Sequence, residues 1–140
     1  MITAVDTNIF IALWDSDDSM NSLALNALDR GISSGNLVVC GAVYAELLAL
    51  PGRTPKFLDT FFHDTGVSID WSTEKSIWNA AGLAFQSYVK RRRSQRQPDA
   101  RRILADFIIG AHADVNGFAF MTLDKRIYSA AFPNLKIIEV

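Results

Sequence analysis

Short apolar runs recur along the chain at residues 2–5 (ITAV), 37–40 (LVVC), 67–69 (VSI), 118–121 (FAFM) and 136–138 (KII). Between them the apolar positions change period. Met20, Leu23, Ala24, Ala27, Leu28 and Ile32, for example, fall at helical offsets. The pattern predicts five strands separated by helices over 8–14, 20–33, 42–50, 55–63, 73–93, 100–116 and 125–130. Thr73 and Asp99 stand where N-caps are expected, and Pro51-Gly52 and Pro133-Asn134 mark breaks. Brief apolar strands alternating with helices predict an α/β fold, a mainly parallel central sheet of about five strands covered by helices on both faces.

At 140 residues the chain fits one domain, 1–140, which buries roughly two thirds of the surface its unfolded form exposes. Hydrophobic residues make up 49% and charged ones 21%, a globular balance rather than a disordered one. The stretch "LVVCGAVYAELLAL" is interrupted by Glu46 and falls short of the ~18 apolar residues of a membrane span. No basic segment followed by an apolar stretch opens the chain, so a cytoplasmic protein is expected. Cys40 closes the LVVC run as the single cysteine, which reads as a buried thiol. The 14 basic and 15 acidic residues nearly cancel, yet seven of the basic ones lie between 90 and 102. That run is either a solvated helix end or a phosphate-binding patch.

The placement of certain acids changes the picture. In an open parallel sheet, ligands bind beyond the carboxyl ends of the strands. Asp6 directly follows the first strand, and Asp124 follows "FAFMT" at the equivalent end of a later one. A helix that follows a strand begins at that edge, which brings in Glu46. A helix that leads into a strand begins there too, which brings in Asp106. Glu46 is surrounded at helical offsets by Ala42, Val43, Ala49 and Leu50, and Asp106 by Ile103, Gly110 and Ala113. A carboxylate in an apolar stripe needs a cation, a hydrogen bond or a proton to compensate it. Asp15, Asp17, Asp18 and Asp114 lie instead in polar or turn segments and read as solvated. Four acids at one edge call for a divalent cation, and oxygen ligands suit Mg²⁺ or Mn²⁺ rather than Zn²⁺. His63 and His112 make no zinc site: one lies near a helix end and the other reads as packing within the domain.

With "VDTNIF" at the start, an acid in "VYAELLAL", the helix "ADFIIGAHA" and "MTLDKRI" after a strand, the chain resembles the PIN-domain nucleases over residues 2–138. Within them it is most similar to the VapC-type toxins of type II toxin–antitoxin pairs, compact single-domain ribonucleases. The resemblance implies that Asp6, Glu46, Asp106 and Asp124 are the metal-binding, catalytic acids, with Asn8 and Thr122 supporting them. It also implies an RNA substrate, a small antitoxin covering apolar surface near the groove, and a homodimer. Two features depart from the pattern: Gly41, where relatives commonly carry Ser or Thr, and the basic segment "VKRRRSQRQPDARR" before Asp106.

The chemistry such a site implies is metal-activated hydrolysis of a phosphodiester, with Asp6 and Asp106 holding the primary ion and Glu46 and Asp124 orienting water or holding a second. Arg91, Arg92, Arg93 and Arg96 are the expected RNA-backbone contacts. A housekeeping RNA-processing nuclease of the same kind is the alternative. A receiver-like phosphoacceptor module would show paired acids after strand 1 and a lysine after its last strand, where this chain has "DTN" and "KII". A nucleotide-binding module would need a glycine-rich phosphate loop, and neither usual form occurs.

Overall fold

A computed structural model describes residues 1–95 and 102–140 of the chain. The apolar runs show no polar alternation because their strands are covered on both faces. In β1 (Ile2–Val5) Thr3, Ala4 and Val5 are buried, as are Leu37 to Cys40 of β2 (Asn36–Cys40) and all of β4 (Ala119–Met121). β3 (Ser68–Asp70) and β5 (Ile137–Ile138) are only partly buried, since each pairs on one side alone. All pairings are parallel, in the order β3-β2-β1-β4-β5. Thr3 pairs with Leu37 on one side and Ala119 on the other, so β1 is the central strand.

Seven helices connect these strands among the described residues: α1 (Thr7–Leu13), α2 (Asn21–Ser34), α3 (Gly41–Leu48), α4 (Pro55–Thr65), α5 (Lys75–Ser94), α6 (Leu104–Asn116) and α7 (Lys125–Ala131). The steps from β1 to β2 and β2 to β3 run one way across the sheet, and those from β3 to β4 and β4 to β5 run the other. With right-handed crossovers this puts α1 to α4 on one face and α5 to α7 on the opposite one. The packing agrees, α1 lying against α2 and α3, and α5 against α6 and α7. The direction reverses between β1 and β4, and a crevice opens at such a switch point.

Three local expectations need correction. β3 begins one residue later than the apolar run, so Val67 packs in the core ahead of the strand and Asp70 ends it. Thr73 does not cap α5, whose first carbonyl acceptor is Glu74, without a side-chain bond. Burial of Ile77 and Ala81 sets the start of that helix instead. α6 begins at Leu104 rather than near 100, with Ile103 in the cap position. The cap expected at Asp99 lies outside the described residues, as do Arg96 and Arg101. The core centres on Phe10, Phe107 and Phe120, all fully buried. Where α6 meets α7, a side chain on Gly110 would come within 2.4 Å of the Phe132 ring, so only glycine lets the two helices approach this closely.

Candidate functional site

Asp6 is the hinge between sheet and helix. Its N–H extends the ladder to the Met121 carbonyl at 2.9 Å, and its extended backbone makes it the N-cap of α1. The residue is only 5% exposed. One oxygen accepts the Thr7 backbone N–H at 2.8 Å and the other accepts the Thr122 hydroxyl at 2.8 Å. Burial pushes the Asp6 carboxyl up to about 6, against those two hydrogen bonds, and the charges of Asp106 and Glu46 add to the rise.

The other three acids reach the same edge from different elements. Glu46, on α3, accepts the Thr7 hydroxyl at 2.6 Å. Asp106 sits in the first turn of α6 and reaches back to accept the Ile103 N–H at 3.1 Å, a helix-capping contact. Burial raises its carboxyl first and the charge of Asp124 adds to that, while the Ile103 bond and Arg102 lower it. Asp124 is the N-cap residue of α7 and pairs with Arg102 at 2.6 Å. Thr122 and Asn8 link the parts. The Thr122 hydroxyl oxygen accepts the Asp124 N–H at 3.0 Å and the Asn8 side-chain amide at 3.3 Å, while the Asn8 carbonyl oxygen accepts the Leu123 N–H at 3.2 Å.

The four carboxylates therefore form one electrostatic chain, Glu46 and Asp106 acting on Asp6 and Asp124 acting on Asp106. Among the described residues, no three metal-ligating side chains are drawn together closely enough to enclose an ion as they stand. Each acid is held by a partner from the protein instead. The donor chemistry nonetheless fits a hard cation: the set is all oxygen, partly or wholly buried, and like-charged. The softer ligands lie elsewhere. His112 is buried and bonds Asp70 at 2.9 Å, an interaction that holds the Asp70 carboxyl below its usual range. His63 is exposed beside Asp64. Cys40 is buried, and burial pushes its thiol up.

Three residues at this edge were not singled out in the sequence. Thr7 bridges Asp6 and Glu46, and the only signal for it is its place inside "VDTN". Tyr128, one helical turn beyond Asp124, is buried, and its hydroxyl is pushed up by burial and by the negative charges of Asp6 and Asp106. Arg102 was visible only as a member of the basic run. The structure divides that run. Arg91, Arg92 and Arg102 line a cavity that Asp124 borders, whereas Arg93 does not line it. Asp15 and Asp17 are exposed, while Asp18 and Asp114 are half-buried.

Comparison with solved structures finds the same fold. The chain is similar to VapBC-1 from nontypeable Haemophilus influenzae, with a TM-score of 0.70 and 19% identity over 99% of this chain and 98% of that one. VapBC2 from Rickettsia felis, bound to a DNA fragment from its promoter, gives 0.66 and 16% over 99% and 98%. FitAcB from Neisseria gonorrhoeae gives 0.64 and 18% over 99% and 97%. A search of curated protein sequences finds no match. The sequence profile of the PIN domain family matches residues 3–133, which contain the whole acid edge, and the chain therefore belongs to the PIN domain family.

Proposed function

We propose that this chain is a divalent-metal-dependent endoribonuclease and the toxin of a type II toxin–antitoxin module. The observation that carries the nuclease reading is the electrostatic chain of four carboxylates around a buried Asp6, at the switch point between β1 and β4. Asp6 and Asp106 would hold the primary Mg²⁺ or Mn²⁺, with Glu46 and Asp124 beside it. The ion, when bound, polarises a phosphodiester and supplies a hydroxide from water. The chain's own part is positional. Thr122 and the Thr7 backbone fix both oxygens of Asp6, the Thr7 hydroxyl fixes Glu46, and Asn8 holds Thr122 and the Leu123 backbone. The basic run, Arg91, Arg92, Arg93 and Arg96, supplies contacts to the RNA backbone.

The toxin reading is supported by the similar structures, which are VapBC and FitAB assemblies. By that likeness the chain pairs with a cognate antitoxin, and the family resemblance in the sequence further implies a homodimer that works in the cytoplasm. Among the described residues, no helix is long and apolar enough to cross a membrane. The purified chain should cleave RNA with Mg²⁺ or Mn²⁺, and Asp106→Asn should abolish cleavage while leaving the fold intact. Full activity in Asp106→Asn would overturn the site. In a bacterium the wild type should arrest growth and Asp6→Asn should not. If both are harmless at equal expression while cleavage persists in vitro, the chain is a housekeeping nuclease.

A further inference from the structure

The basic run is not a uniform surface. On α5, Tyr88, Arg91 and Arg92 fall at helical spacing and share one face, and Gln95 follows at the helix's C-cap. That face lines a cavity of about 440 Å³ together with Arg102 and, from α7, Arg126. The size falls within the range of small-ligand sites, about 300–1,000 Å³. Among the described residues, four arginines line it and Asp124 is the one carboxylate. The balance suits an anion, in contrast to the acid edge beside it. Arg102 joins the two. Its backbone N–H is donated to the Tyr88 hydroxyl at 2.7 Å and its Nη1 meets Asp124 at 2.6 Å, so it is anchored at both ends. A guanidinium carries five N–H donors in a planar fork, and the contact with Asp124 leaves others to face an anion.

We propose that this cavity is a phosphate subsite that takes one backbone phosphate of a bound RNA strand, with Arg102 bridging that phosphate to Asp124. The identity of the strand rests on the nuclease reading; the anion site rests on the cavity. The subsite makes a distinction that the charge run alone does not. Arg126 lies outside the run but lines the cavity, whereas Lys90 lies inside the run but does not.

The test uses the full chain carrying Asp6→Asn, with a chelator present, so that the RNA stays intact. Binding of a short fluorescent single-stranded RNA is measured at low salt after Arg91→Gln, Arg126→Gln or Lys90→Gln. Each arginine change should weaken binding about tenfold, the loss of a charge-assisted hydrogen bond, and Lys90→Gln should leave it within about twofold. Because Arg91 and Arg126 face one phosphate, the double variant should lose less than the product of the two single losses. Arg126→Lys should recover part of the loss, which separates a phosphate contact from a folding defect. Equal losses in all three variants would mean a diffuse basic surface, and no loss in Arg91→Gln and Arg126→Gln would mean no subsite; either overturns the proposal. Inorganic phosphate gives the second arm: if Arg126→Gln abolishes stabilisation by phosphate yet leaves RNA affinity unchanged, the site serves free phosphate and the RNA assignment falls. Cleavage is scored separately in the chain with Asp6 intact. Absence of cleavage with this binding pattern intact overturns the nuclease reading and leaves the anion subsite, whereas cleavage without the pattern removes the subsite alone.

Discussion

Replacing Asp6 with Asn should make the metal-free protein more stable at neutral pH and less stable in acid. The Asp6 carboxyl rises from 3.8 to about 6 on folding. At about 1.4 kcal/mol per unit, the folded state pays about 3 kcal/mol to keep it ionised above pH 6. The sign follows from the folded value lying above the unfolded one. The contribution of Asp6 favours folding below about pH 3.8 and is lost as pH rises through about 6. Asn does not titrate, so it escapes that loss. It does lose a hydrogen bond. The amide oxygen can still accept the Thr7 N–H, but the amide nitrogen faces a Thr122 hydroxyl that already accepts from Asn8 and from the Asp124 backbone. That mismatch costs about 1–2 kcal/mol. The variant should therefore gain about 1–2 kcal/mol at about pH 7.5 and lose a similar amount below about pH 3.5. Urea unfolding of both proteins with a chelator present, across that range, gives the difference curve directly. A difference that stays flat with pH would show that burial does not raise Asp6, and the electrostatic description of the edge would be wrong.

Mn²⁺ at about a hundred times its dissociation constant should stabilise the wild type by about 2.7 kcal/mol and Asp6→Asn far less, which a thermal-shift titration reads. Gly110→Ala should destabilise by about 1–3 kcal/mol, because the new methyl meets the Phe132 ring at 2.4 Å; chemical denaturation checks it. Asp70→Ala strands the buried His112 ring nitrogen and should cost about 1–3 kcal/mol near neutral pH. Since the Asp70 carboxyl is lowered in the folded state, its contribution is present above its unfolded value and fades as pH falls through the folded one, so wild type and variant should converge in acid.

Strand positions could be read from sequence because strands buried on both faces leave unbroken apolar runs, as LVVC and FAFM do. The strand order could not. Nothing in ITAV says that its neighbours are LVVC and FAFM; that pairing is settled by crossovers spanning most of the chain. Helix bodies were visible in their apolar spacing, whereas the starts of α5 and α6 were not, because buried Ile77 and the Asp106 contact decide them rather than a Ser, Thr or Asp cap. Asp6 and Asp124 stood out because each follows a strand, and Glu46 and Asp106 because each interrupts an apolar stripe. Arg102 and Tyr128 carry no such mark. An arginine in a run of arginines looks like its neighbours, and a tyrosine one turn along a helix looks like core until the acids around it are placed.

The pairing of β1 with β4 also sets when the acid edge can exist. The Thr122 to Asp6 hydrogen bond closes a loop of 116 positions. Asp6 and Glu46 can be joined through Thr7 early in synthesis, yet Thr122 and Asp124 reach them only once the chain has passed β4 and folded back beside β1. Closing so long a loop is slow compared with local helix formation. A ribosome stalled or a chain cut anywhere before Met121 thus releases a fragment with at most three of the four acids and no β4 to complete the edge. Assembly order itself keeps the acid edge incomplete until the domain is nearly whole.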